Sequence, residues 1–174
     1  MRCVLVRWLC IFLLLFSLSS CGLFPENTKL LEQPLQGTVG GVSWQFKEGV
    51  VIRCMKKLVV YLFPNKLQNP CDAVENLSQR IFQSYVLIYV DKRKSEYDLS
   101  WSIPQKLTFA VVKNVMHGEM HASIRGKLLI DQLTDQRMSG RLQAYANPEN
   151  NINGYFNITS CNRENEDSSK YLRQ

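Results

Sequence analysis

Both histidines of the chain lie in one short stretch with a carboxylate between them, His117-Gly118-Glu119-Met120-His121. Imidazole and carboxylate groups are common zinc ligands and common proton carriers in hydrolases. The zinc-protease motif, however, places a glutamate directly after the first histidine and relies on a helix to bring the two histidines together. Here the alternating residues that follow predict a strand, which separates His117 from His121 by about 13 Å at roughly 3.3 Å per residue.

One metal ion therefore cannot bind all three side chains from a straight strand, and a zinc site needs at least three protein ligands. We predict that His117, Glu119 and His121 form a polar stripe on the outward face of a strand. A metal-assisted hydrolase is the alternative, in which a facing strand supplies the missing ligands. The sequence contains no Gly-x-Ser-x-Gly nucleophile elbow and no phosphate-binding loop, so it predicts a protein that is not an enzyme and carries no cofactor.

The first twenty residues have the layout of a secretory signal peptide. Arg2 and Arg7 precede an uncharged apolar run over residues 8–18, and Ser19 and Ser20 follow it. A helix that spans a bilayer needs about 20 apolar residues, so a transmembrane anchor is the weaker alternative.

The residues that end this run, Leu18-Ser19-Ser20-Cys21, resemble the lipobox of bacterial lipoprotein precursors. In that family the cysteine thiol receives a diacylglycerol, the peptide is cut just before the cysteine, and the new amino group is acylated. The resemblance implies a signal peptide over residues 1–20 and a mature chain that begins at Cys21 and is held in the membrane by acyl chains such as palmitate. Gly22, in place of Asp, implies export to the outer membrane where the cell has one. The alternative is that Cys21 is an ordinary leader residue.

With Cys21 assigned to lipid, three cysteines remain in a compartment where disulfides persist. Cys71 and Cys161 lie at the edges of predicted ordered segments, whereas Cys54 lies in the middle of one. We predict a disulfide between Cys71 and Cys161, with Cys54 to Cys71 as the alternative pairing.

The charge of the chain is modest, with 21 basic and 15 acidic residues in all, and Arg2 and Arg7 belong to the leader. The basic residues are scattered, apart from one cluster in the segment 91–94. No aromatic residues interleave with that cluster, as they would in a nucleic-acid surface. The composition therefore argues against nucleic acid as a partner and predicts a solvated turn at the cluster.

The dominant pattern between residues 37 and 161 is the period of two that is typical of half-buried strands. Val42, Trp44 and Phe46 alternate with polar residues directly after Gly40-Gly41, which predicts a hairpin turn. The predicted fold is all-β: an antiparallel β-sandwich or barrel of about eight strands with one short helix. That helix is predicted from residue 73 to about 82. The predicted divisions are a signal peptide at 1–20, a tether at 21–36, the β domain at 37–161 and a polar tail at 162–174.

Several strands are predicted to place large apolar side chains on their inner faces. Among them are Trp44, Phe46, Leu58, Leu99, Trp101, Leu107, Phe109, Val111, Met120, Ala122, Ile124, Leu128 and Ile130. Such residues fit a closed core, or a barrel that carries one small apolar ligand. The glycine turn before Trp44, the Pro70-Cys71 pair and the segment 153–161 are similar to small β-rich bacterial lipoproteins of unknown function, a likeness that implies no activity.

The sequence thus predicts a lipid-anchored envelope protein that acts as a binding or structural module for an unidentified protein partner. The alternatives are a carrier of an apolar ligand and the metal-assisted hydrolase. A binding module would present an exposed apolar or aromatic patch, for which Tyr145 and Tyr155 are candidates.

Overall fold

The computed structural model describes residues 29–75, 83–102, 106–114 and 117–162. These residues form eleven strands and one helix. In chain order they are β1 (Gln36–Val39), β2 (Val42–Gln45), β3 (Glu48–Cys54), β4 (Lys57–Phe63), α1 (Pro70–Glu75), β5 (Tyr85–Asp91), β6 (Glu96–Asp98), β7 (Leu107–Asn114), β8 (His117–Ala122), β9 (Arg125–Leu133), β10 (Arg137–Asn147) and β11 (Asn150–Asn162). The predicted all-β class is confirmed, although the strands outnumber the eight expected.

The strands belong to one hydrogen-bonded sheet in the order β6-β9-β10-β11-β3-β4-β5-β7-β8, and the β1–β2 hairpin joins it through β11. The sheet curls into a half-barrel. Its strand pairs are antiparallel except β11 with β3, which run parallel from Thr159 opposite Val50 to Asn162 opposite Arg53. The expectation of a purely antiparallel sheet is therefore wrong at this pair, because alternation along a strand predicts its buried face but not the direction of its neighbour.

Two residues connect the two sides of the curled sheet. Strand β8 is the last strand at one edge of the sheet, and β9 is the second strand from the opposite edge. Only Ser123 and Ile124 separate these two strands along the chain. The Ser123 N–H donates to the carbonyl oxygen of Leu107 in β7 at 3.0 Å, and the Ile124 N–H donates to that of Tyr145 in β10 at 2.9 Å. This link draws the two edges of the sheet together at one end of the half-barrel.

The concave face of the sheet packs the main core, which includes Trp44, Leu58, Val60, Leu99, Leu107, Phe109, Leu128, Leu142, Ile152 and Phe156. The opposite face of β3 and β4 packs a smaller cluster with α1, and Val50, Ile52, Tyr61 and Val74 belong to it. Strands β3 and β4 are thus buried on both faces. Their continuous apolar sequence is typical of strands in that position.

A disulfide between Cys71 and Cys161 joins α1 to the end of β11, with 5.8 Å between the two Cα atoms. The predicted pairing is confirmed. Cys54 is buried in the same smaller cluster and takes no part in the disulfide. The predicted helix begins earlier than expected, at Pro70, and the part of it predicted over residues 76–82 lies outside the described residues.

The ordered domain begins before residue 37, so part of the predicted tether belongs to it. Leu35 is fully buried, and its N–H donates to the carbonyl oxygen of Tyr155 at 2.9 Å. The carbonyl oxygen of Leu35 accepts the N–H of Phe46, also at 2.9 Å. The predicted hairpin turn is present, since Gly40 and Gly41 have φ values of 65° and 77° between β1 and β2. Positive φ at both central residues is the geometry of a type I′ turn.

Three residues that were expected on inner faces are exposed: Trp101 by 64%, Met120 by 60% and Ile124 by 43%. Trp101 follows the end of β6, where the Asp98 carboxylate accepts the Ser100 N–H at 2.8 Å and turns the chain. Ile124 lies in the link between β8 and β9. The predicted alternation of inner and outer residues runs through both of these turns. A turn changes which face of the sheet the following side chains occupy, so the predicted faces are wrong here.

We predict that Gly140→Ala lowers the free energy of unfolding by about 2–3 kcal/mol, as overpacking does in a close-packed interior. A Cβ at residue 140 would lie 2.3 Å from the backbone oxygen of Leu129, which the sheet holds in place. Gly118→Ala is the matched control, because its nearest atom is the Val111 oxygen at 3.5 Å. Urea denaturation of both variants measures the difference. Equal losses would show that the β9–β10 backbones are not held this close.

We also predict that replacing both Cys71 and Cys161 by Ala costs about 3 kcal/mol of stability, because the bond closes a loop with a sequence separation of 90 residues. Urea denaturation of the oxidised natural protein and the double variant measures this. A reducing agent should lower the stability of the natural protein and leave the double variant unchanged. An unchanged midpoint in the double variant would contradict the prediction.

Candidate functional site

The stretch with both histidines forms β8, an edge strand that pairs with β7. Phe109 lies opposite His121, and Val111 lies opposite Glu119. Directly opposed residues of an antiparallel pair share a face of the sheet, so Glu119 and His121 lie on the side of the buried Phe109 and Val111. Met120 lies on the other side. The expected faces of Glu119, Met120 and His121 are therefore reversed. Glu119 and His121 are partly exposed because β8 is an edge strand, and the side chain of His117 lies outside what the structure describes.

Glu119 is held between two nitrogen groups. Its Oε1 accepts a hydrogen bond from Lys113 Nζ at 2.6 Å, and its Oε2 lies 3.2 Å from His121 Nε2. The hydrogen bond from Lys113 is the largest cause that lowers the pKa of Glu119, and the contact with His121 adds to it. The arrangement is an ion-pair cluster with an ionised carboxylate, which does not suit a general acid. Within the described ranges, no group of three or more His, Cys, Asp or Glu residues is placed to hold a metal ion.

Two clefts lie on either side of β6 and share Glu96 and Asp98. The first, of about 260 Å³, lies between β6 and the β4–β5 pair. Its lining is Lys57, Tyr89, Val90, Asp91, Lys94, Glu96, Tyr97, Asp98, Ser102 and Lys106. The second, of about 300 Å³, is lined by Glu96, Asp98, Ser100, Arg125, Gly126, Lys127 and Gln143. We call the first of these the seam cleft.

Polar groups of the seam cleft bond to one another within and across its walls. Lys57 Nζ lies 2.7 Å from Asp91 Oδ1, and the hydrogen bond from Lys57 lowers the pKa of Asp91. Lys106 Nζ donates to the carbonyl oxygen of Asp98 at 2.7 Å. The Tyr97 hydroxyl donates to the carbonyl oxygens of Asp91 and Lys94, and burial is the main reason that its pKa is raised. Three lysines and three acids line the cleft, so its charge favours neither anions nor cations.

A group of residues surrounds the β8–β9 link, and we call it the aromatic patch: Trp101 and Ile124, which are exposed, and Arg125 and Tyr145, which are half-buried. The Trp101 N–H points to the carbonyl oxygen of Ile124 at 3.5 Å, and the Ile124 N–H donates to that of Tyr145. The guanidinium of Arg125 lies 4.9 Å from the centre of the Tyr145 ring, within the range of a cation–π contact. A tryptophan as exposed as Trp101 contributes little to the core.

Trp101 is exposed rather than on the predicted inner face, although a local sequence signal for this was present. Asp98 followed two residues later by Ser100 is typical of a turn in which the carboxylate accepts a backbone N–H. The carrier hypothesis expected Trp44, Trp101 and Phe109 to line one cavity. Trp44 and Phe109 pack in the main core, where Trp44 Nε1 donates to the carbonyl oxygen of Ser84 at 3.3 Å, and Trp101 does not join them. Tyr155, a candidate for an exposed patch, is 46% exposed.

Cys21 and the signal region lie outside the described residues. Among the residues that the structure describes, no helix is long and apolar enough to cross a membrane. No protein-family model, curated protein or solved structure matches this chain.

We predict that Lys113→Gln raises the pKa of Glu119 towards its ordinary value, because the variant removes the cation that favours the ionised carboxylate. An NMR titration of the Glu119 carboxyl carbon measures the change. Lys127→Gln is the control, since Lys127 pairs with Glu96 at 2.8 Å on another part of the surface. A Glu119 pKa that does not respond to Lys113→Gln would show that the pair is not formed in solution.

Proposed function

We propose that this chain is a lipid-anchored lipoprotein of a bacterial envelope, and that its β domain is a binding or structural module. The observation that carries the proposal is the disulfide between Cys71 and Cys161. Disulfides persist in oxidising compartments and are rare in the cytosol. The bond therefore supports the export that the signal-peptide pattern of residues 1–20 predicts.

The use of the other cysteines supports lipid on Cys21. Cys71 and Cys161 bond to each other, and Cys54 is 1% exposed within the smaller core cluster. A disulfide to Cys21 would have to break the existing bond or reach this buried thiol. The thioether of a lipoprotein leaves the described cysteines as they are.

The choice of a binding or structural module, rather than an enzyme, is supported by the groups that could carry out chemistry. Glu119 is ionised in an ion-pair cluster, and Lys57 and Asp91 of the seam cleft pair with each other. Trp101, by contrast, is exposed at the aromatic patch and is not needed for the core. Exposed aromatic groups of this kind mark interaction surfaces.

Metabolic labelling with a clickable palmitate, followed by membrane fractionation, tests the anchor. We expect label on the natural protein and its recovery with membranes, because two or three acyl chains give stable anchoring. Cys21→Ala should lose the label, whereas the matched control Cys10→Ala should keep it, since Cys10 lies inside the predicted leader.

The outcome that contradicts the proposal is a natural protein without label that is recovered in the soluble fraction. Label that persists in Cys21→Ala would place the lipid elsewhere and would equally reject the lipobox.

A further inference from the structure

We infer that the end of the half-barrel at which β11 begins, together with the aromatic patch, rests on the phospholipid surface in which the lipid of Cys21 is embedded. The inference rests on the proposed function and extends it. It assigns one face of the domain to the membrane and leaves the other surfaces for protein partners.

The first described residues of the chain are held against strand β11. The Leu31 N–H donates to Asn153 Oδ1 at 3.0 Å, and Asn153 Nδ2 donates to the carbonyl oxygen of Lys29 at 3.0 Å. Glu32 pairs with Arg141 at 3.2 Å. Asn153 lies between the buried residues Ile152 and Gly154 along β11, so its side chain points away from the core. Lys29 is therefore held on the outer surface of the β10–β11 pair.

The length of chain between Cys21 and Lys29 limits how far the lipid can lie from the domain. Eight peptide steps separate Cys21 from Lys29. Fully extended, eight residues span at most about 28 Å. A lipid on Cys21 thus keeps the membrane within that distance of Lys29, which is held near the start of β11. The far end of β11, at Asn162, lies about 30 Å from Asn153 along the strand, at roughly 3.3 Å per residue.

Apolar and aromatic side chains lie near the place where the chain leaves the domain. Leu31 and Tyr155 are exposed beside the exit of the chain. Gln143 of β10 lies opposite Asn153, and Tyr145 lies two residues further along the same face of β10. Tyr145 is therefore a near neighbour of Asn153 on the outer face. The aromatic patch continues from Tyr145 to Ile124 and Trp101. The apolar side chains of this surface thus lie at the end of β11 from which the anchor leaves.

The chemistry of these groups fits the interfacial region of a bilayer. Tryptophan and tyrosine have an apolar ring and a polar N–H or O–H, and they are enriched where headgroups meet acyl chains. Arg125 lies over Tyr145 in the same patch and supplies a cation for anionic headgroups. The exposed apolar residue at the other end of β11 is Met55, in the turn between β3 and β4, and it has no aromatic neighbour in the described sequence around it.

Fluorescence quenching by brominated lipids tests this placement. The proposed mature protein contains two tryptophans, of which Trp44 is buried in the core and Trp101 is exposed. The lipidated protein is reconstituted into vesicles of phosphatidylethanolamine and phosphatidylglycerol whose acyl chains carry bromine close to the headgroup. We expect a loss of most of the Trp101 emission and a blue shift of the remainder, and Trp101→Phe should abolish the quenching.

The matched control places the probe at the far end of the domain. Met55 is 62% exposed, and Met55→Trp combined with Trp101→Phe should float with the vesicles and stay unquenched. Equal quenching at residues 55 and 101 would reject a defined face.

The outcomes separate this inference from the proposed function. A protein that carries no lipid and does not float with the vesicles overturns the anchor, and the membrane contact with it. A protein that floats while Trp101 stays unquenched keeps the anchor and overturns this inference alone, which would assign the aromatic patch to a partner protein instead.

Discussion

The parallel pairing of β11 with β3 holds the molecule together. On one side β11 pairs with β10 along most of its thirteen residues, and on the other it pairs first with β1 and then with β3. Without the four parallel pairs from Thr159 to Asn162, the sheet would be divided between β11 and β3, and its two parts would meet at the Ser123–Ile124 link between β8 and β9. The curl that encloses the main core depends on both parts, and the Cys71–Cys161 disulfide holds β11 in place at this point.

The same strand also holds the residues that precede β1. Gly154 lacks a Cβ, which would lie 2.5 Å from the Gln33 oxygen, and its φ of +143° is one that glycine adopts more readily than other residues. The chain before β1 can therefore lie directly against β11 and bury Leu35. Packing of Leu35 and the residues before it against β11 therefore fixes where the described chain begins, and so which part of the domain lies nearest to the proposed lipid on Cys21.

Local patterns predicted the Gly40-Gly41 hairpin and the doubly buried run of β4, which follow from residue types and short spacings. The disulfide was predicted from the positions of two cysteines at segment edges, although it joins residues with a sequence separation of 90. The faces of β8 and the exposure of Trp101 were not predicted, because a turn at Asp98 and a link at Ser123 reset the alternation. The parallel pair and the burial of Leu35 depend on a strand more than a hundred residues away, which no local period reports.

The position of β11 also determines when the domain can fold. It is the last strand of the described chain, yet it lies in the middle of the sheet, and β1, β3 and β10 all need it as a neighbour. During synthesis the earlier strands emerge without the partner that joins them, so the complete sheet must wait until residue 162 has been made. Distant pairings of this kind form slowly. The joining of the two groups of strands through β11 is therefore the last event in completing the sheet.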